Sequence, residues 1–194
     1  MGSWPRPLAF VALIATVLSS IGAVALAAPS KPALVPDAKG DVAGKLDIQG
    51  LRLSVGTDGR LRAVVTFAGK VTAVDMLASD GPPGSVCLRV WTARDADPRS
   101  ASADRLVCVT ARTKDDLRAT VLRQEGPRLP QRIGSAAVTA SKSDRSFIIC
   151  IAPGDLGGPA RIHYALESTR PGCERTSCID TVPAAPATRR FRLR

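Results

Sequence analysis

Along most of the chain, apolar and polar side chains exchange places at every second residue, the period of a strand with one buried face. Leu61, Ala63, Val65 and Phe67 share one side of such a stretch, with Arg60, Arg62, Val64 and Thr66 on the other. Residues 51–55 alternate in the same way. Thr57-Asp58-Gly59 between the two runs is a hairpin signal, because an Asp-Gly pair takes the positive φ angles of a tight turn. Further strands are predicted at residues 85–92, 105–111, 117–123, 133–139, 146–151 and 161–168, separated by clusters of Gly, Pro, Asp and Ser. Residues 152–157 predict a single helical turn and residues 169–187 a loop. The closing Arg-Phe-Arg-Leu-Arg predicts a last strand with arginines outward. No long segment sustains a 3.6-residue period. The expectation is an all-β fold, an antiparallel β-sandwich of the immunoglobulin or jelly-roll kind.

The first 27 residues break that pattern. Arg6 is followed by an uncharged run from Leu8 to Ala28, and Ala25-Leu26-Ala27 places small residues at the two positions a signal peptidase reads. This predicts a signal helix at residues 1–27. An uncleaved anchor is the alternative, since the run approaches the ~20 residues that span a bilayer. Its serines, glycine and many alanines make a soft span and favour cleavage. Either way, Arg6 held on the cytoplasmic side puts the remainder outside. Residues 28–36 (APSKPALVP) then predict an extended tether, and residues 37–194 a single domain. The expected location is secreted or cell-envelope, with membrane contact only if the segment is retained.

An oxidising compartment changes how the five cysteines are read. Cys173 and Cys178 flank a short polar segment and are expected to pair as a local staple. Cys87 and Cys108 each lie in a predicted strand and are candidates for a cross-strand bond. Cys150, inside Phe-Ile-Ile-Cys-Ile, reads as a buried free thiol, with pairing to Cys87 or Cys108 as the alternative.

A net charge of +10 raises the question of an anionic partner. Nucleic acid is not expected, because aromatics make up only 4% and the basic residues are dispersed. Much of the arginine follows from a composition rich in Arg, Ala, Gly, Pro and Val and lacking Asn, as GC-rich codons produce. The basic residues are dispersed apart from one run, Arg189-Arg190-Phe191-Arg192-Leu193-Arg194, and the net charge as a whole suggests loose attraction to anionic cell-envelope polymers.

Candidate chemistry is sparse. Asp37, Asp41 and Asp47, with Gly40 to bend the chain, form a possible Ca²⁺ site, since that ion takes about six to eight oxygens. The competing role for these acids is to accept backbone N–H groups in turns. A single histidine, His163, excludes a two-histidine zinc site, and no nucleophile elbow, zinc-protease or phosphate-loop motif is present. No cofactor beyond that Ca²⁺ is expected, and no enzyme activity.

The stretch Asp37-Ala38-Lys39-Gly40-Asp41, then Gly44-Lys45-Leu46-Asp47-Ile48, strand, Asp-Gly turn and strand, resembles the opening of exported β-sandwich proteins of actinobacteria. These are similar in outline to family-9 carbohydrate-binding and DOMON-like sandwiches, and Cys173 to Asp180 resembles a tail found in such proteins. The resemblance implies a fold and an export route, and no activity. Sugar-binding relatives stack ligands on exposed aromatics, for which this chain offers Trp91; a tryptophan buried beside a disulfide is the competing state. Haem would need His163 or Met76, and neither suits it. The leading expectation is therefore an exported, non-enzymatic binding or structural module. The alternatives are a secreted hydrolase with carboxylates assembled by the fold and a carbohydrate or small-ligand module using the sheet face near Trp91.

Overall fold

The computed structural model describes residues 31–38, 40, 42, 44–93, 97–99, 101–173 and 178–194. Eleven strands account for the architecture: β1 (Ala33–Pro36), β2 (Ile48–Val55), β3 (Leu61–Phe67), β4 (Ser85–Trp91), β5 (Arg105–Thr113), β6 (Asp116–Arg123), β7 (Gln131–Ala140), β8 (Ser146–Ile151), β9 (Arg161–Thr169), β10 (Ile179–Val182) and β11 (Arg189–Arg192). All pairings are antiparallel. The fold is all-β, as the alternation requires. The predicted signal helix at residues 1–27 lies outside the described residues.

The strands run in the order β1-β2-β3-β8-β7-β6-β5-β4-β9-β10, with β11 also on β9. The two layers are continuous through β7. Its first half pairs with β6, ending at Ala136 opposite Ala119, and its second half pairs with β8, beginning at Ala137 opposite Cys150. At the far margin the layers are tied again. Asp180 Oδ2 accepts the Ile48 N–H at 2.6 Å, and the Ser168 hydroxyl donates to the Leu46 carbonyl at 2.6 Å. A sandwich joined along both margins approaches a closed barrel, which leaves few open strand edges.

The alternating residues meet where the pattern placed them. Leu61, Ala63, Val65 and Phe67 of β3 pack into one core with Val86, Leu88 and Val90 of β4 and Ile162, Tyr164 and Leu166 of β9. Phe67 meets Phe147 edge-on at 4.9 Å between ring centres, a favoured aromatic geometry. Each such fully buried Leu, Ile or Phe contributes about 1.5–3 kcal/mol through removal from water. The expected helical turn is a short 3-10 segment, Pro153–Leu156, pinned by buried Leu156 and closed by left-handed Gly157.

Two boundaries differ from the sequence-based expectation. The tether is shorter than its composition suggested, because Ala33–Pro36 pairs with β2 and buries Val35. Pro36 is tolerated there as the last residue of an edge strand, where a missing N–H breaks no ladder. The stretch read as one long loop contains β10, which pairs with β9 and buries Asp180 and Val182. Among the described residues no helix is long and apolar enough to cross a membrane.

Candidate functional site: the basic margin of β9 and β11

Phe191 sets the site's geometry. It is buried opposite Ile162, so β11 pairs with β9 in a single register, with Arg190 opposite His163 and Arg192 opposite Arg161. Because Ile162 and Tyr164 point inward, these four side chains lie on the outer face. Like charges directly opposite on neighbouring strands are destabilising. Here Arg161 and Arg192 stand in that relation, and both are exposed. Among the described residues no side-chain carboxylate pairs with Arg161, Arg189, Arg190, Arg192 or Arg194. The ion pairs fall elsewhere, as in Arg89–Glu167, Arg105–Asp104 and Arg123–Glu125. Arg192 instead donates to the main-chain carboxylate oxygen of Arg194.

Arg190 Nε donates to His163 Nε2 at 3.2 Å, so that nitrogen is the acceptor of a neutral imidazole. Partial burial holds the His163 pKa below its ordinary value, the Arg190 charge lowers it further, and Asp97 opposes both. Beside this pair a pocket of about 550 Å³ opens between the 97–99 turn and the chain from Pro186 into β11, bringing Arg99 towards Arg189 and Arg190.

Trp91 lies next to His163 in the β4–β9 register but is only 3% exposed. Its indole N–H donates to the Ala101 carbonyl at 2.8 Å, Arg89 lies over the ring at 5.4 Å, and Ala103 and Ala165 pack against it. A ring covered in this way is buried in this structure and not exposed on the sheet face. Its role is to support the loop after β4. Asp104 closes the base of that loop by accepting from the Thr92 N–H at 2.7 Å and from the Thr92 hydroxyl.

The aspartates of the proposed Ca²⁺ site are used differently from one another. Asp47 is 6% exposed and its Oδ2 accepts the Gly40 N–H at 2.8 Å, while its Oδ1 is buried without a protein hydrogen bond. Asp37 lies just after β1, where its N–H donates to the Gln49 carbonyl at 3.1 Å. Asp41 lies outside the described residues. Among the described residues no three acidic, cysteine or histidine side chains converge as cation ligands.

The cysteine expectations can be placed directly. Cys87 and Cys108 are opposite one another on β4 and β5 and form a disulfide, and Cys173 is bonded to Cys178. Cys150 is a free, half-buried thiol. Two bonded pairs are consistent with an extracellular location.

No pair of carboxylates faces across either described pocket. The larger has Asp97 as its one acid, and a smaller one of about 220 Å³ is lined by Leu61, Pro153, Leu156, Leu193 and Arg194 among others, with no acid. Glu125 and Glu167, which a fold-assembled hydrolase would draw on, are engaged by arginines. The arginine run at the chain's end was visible in the sequence. Its juxtaposition with Arg161 and His163 was not, because it depends on strand register. Comparison with protein-family models, curated proteins and solved structures finds no match for this chain.

Proposed function

We propose that the chain is an exported, non-enzymatic binding module that attaches to anionic polymers of the cell envelope through Arg161, Arg190, Arg192 and Arg194. The observation that carries this reading is the cross-strand placement of Arg161 opposite Arg192 with no side-chain carboxylate partner among the described residues. Such a pairing costs about 0.2–1 kcal/mol in the free fold. An anionic chain laid along β11 reverses the sign of that term, because each guanidinium then gains charge-assisted hydrogen bonds. Strand geometry suits the task, since alternate residues present their side chains in a row about 7 Å apart.

Two features supply the context. The apolar segment before Ala28 with its small-residue site provides the export route, and the two disulfides suit the fold to an oxidising exterior. The test is retention on immobilised polyphosphate and polyuronate compared with neutral dextran. The reading expects retention on the anionic matrices, eluted by moderate salt, and weaker retention of an Arg190→Ser/Arg192→Ser variant. Equal retention on neutral dextran would overturn it.

A further inference from the structure

We propose that the pocket beside β11 is a subsite for one tetrahedral oxyanion, the phosphodiester or sulfate-ester group of a bound polymer, and that His163 takes up a proton as the anion enters. This rests on the anionic-polymer reading above and gives it a ligand class. The pocket is formed by elements that meet only in the fold: Arg99 from the turn after β4, His163 from β9, and Arg189 and Arg190 from β11. At about 550 Å³ it has room for such a group and the adjoining links of a chain. A guanidinium presents its N–H groups in a fixed planar fork, and one fork satisfies a planar carboxylate. Forks from two elements, Arg99 of the turn and Arg190 of β11, match an anion that accepts hydrogen bonds on several faces. The one acid in the lining, Asp97, has Oδ1 occupied by the Arg99 N–H at 3.0 Å.

The proton follows from the Arg190–His163 contact. In the free protein Nε2 accepts from Arg190 Nε, so the imidazole is neutral and that N–H is directed at the ring rather than at the pocket. An entering anion draws the guanidinium towards itself and leaves Nε2 without its donor. The imidazole then takes a proton from solvent, and the new Nε2–H can donate to the anion. The overall change is one proton moved from buffer to Nε2, with no other bond made or broken. The charged groups around His163 among the described residues are Arg190 on β11, Asp97 and Arg99 from the turn, and Arg161 and Arg192 one pair along the strands. Trp91 on β4 is the neutral neighbour. Cations predominate in that set and, with burial, favour the neutral ring; an anion in the pocket reverses the balance. The direction of the His163 pKa in the free protein agrees with this.

Sulfate is the probe, because it stays dianionic across the range in which histidine titrates. Sulfate binding to the full folded protein is measured by calorimetry in two buffers of different ionisation enthalpy, at about pH 7.5, about pH 6.5 and about pH 5.5. The expected result is fractional proton uptake near pH 6.5 and at least about threefold tighter binding at the lower pH. His163→Gln keeps an oxygen acceptor for Arg190 and cannot titrate in this range, so it should bind sulfate with neither proton uptake nor pH dependence. The proposal is overturned if His163→Gln shows the same pH dependence as the wild type, or if acetate binds as well as sulfate. Retention on polyphosphate that sulfate does not compete would remove the subsite and leave the broader reading intact, whereas loss of all anionic retention would remove both. Competition by polyphosphate and by dextran sulfate then distinguishes the source, the stronger competitor naming the ester.

Discussion

Replacing Asp180 with alanine should loosen the margin where the two layers meet. Asp180 is 3% exposed, and its Oδ2 accepts the N–H of Ile48, which is fully buried and lies 132 residues away in sequence. Alanine removes the acceptor and brings none in its place, so the N–H is left buried and unsatisfied. That penalty is about 1–3 kcal/mol, and a hydrogen bond to a charged group lies toward the top of this range. We therefore expect a loss of about 3 kcal/mol, which for a domain of this size lowers Tm by about 6–12 °C. Asp180→Asn keeps an oxygen acceptor and should lose about 1 kcal/mol. Ser168, opposite Asp180 in the β9–β10 register, makes the neighbouring bond to Leu46. Ser168→Ala should cost about 1 kcal/mol, and the double variant should depart from additivity by about 0.5 kcal/mol or more because the two bonds secure one seam. Urea unfolding with a shared m-value gives all four numbers. An Asp180→Ala protein within about 0.5 kcal/mol of wild type would refute the claim that this hydrogen bond closes the fold.

Other consequences are equally open to measurement. Removing the Cys87–Cys108 bond by a double alanine substitution frees a loop with a sequence separation of 21 and should cost about 3 kcal/mol, read as a fall in the urea midpoint. Burial raises the Asp75 pKa, but the Lys45 ammonium at 2.9 Å and the Thr72 N–H and hydroxyl outweigh it and hold the carboxyl below its ordinary value. That stability is present above the unfolded pKa of about 3.9 and is lost as pH falls through the lower folded value. Asp75→Asn should therefore flatten the acid limb of a stability–pH curve, with less than about 1 kcal/mol lost at neutral pH because the pair is near the surface. Since Asp47 already serves a backbone N–H, millimolar Ca²⁺ against excess EDTA should leave Tm unchanged, and a rise of several degrees would establish a cation site. Mass spectrometry of the secreted protein should give Ala28 as the first residue, and alkylation without reductant should modify Cys150 alone. Retention of Met1 would contradict cleavage and point to the retained anchor.

Most strands legible in the sequence were long enough to show their period, and the four-residue β11 was legible from arginines alternating with apolar residues. β3 offers four inward positions in seven residues, and β9 places Ile162, Tyr164 and Leu166 on one face, so both declared themselves. β1 and β10 have four residues each, which leaves at most two inward positions and no period to detect; Pro-rich and Cys-rich surroundings pointed to loop instead. The cysteine pairing was half legible. Both Cys87 and Cys108 sat in strands, but only the register shows them opposite each other, with Cys150 opposite Arg62 and Ala137. The same limit applied to the site. Arg190 and His163 are 27 residues apart, and nothing short of the β9–β11 pairing brings them into contact. Burial of Trp91 was one of two states open to it in the sequence, and the cover comes in part from Ala101 and Ala103, residues with no signal of their own.

The measurement that bears most directly on the anionic-polymer reading is the salt dependence of binding to polyphosphate, wild type against Arg190→Ser/Arg192→Ser. Each exposed charge contributes about 1 kcal/mol at contact in water, so the double variant should bind at least about tenfold more weakly at about 0.1 M salt. Its plot of log K against log salt should also be shallower, because fewer counterions are released. Unchanged affinity and slope in the double variant would contradict the account.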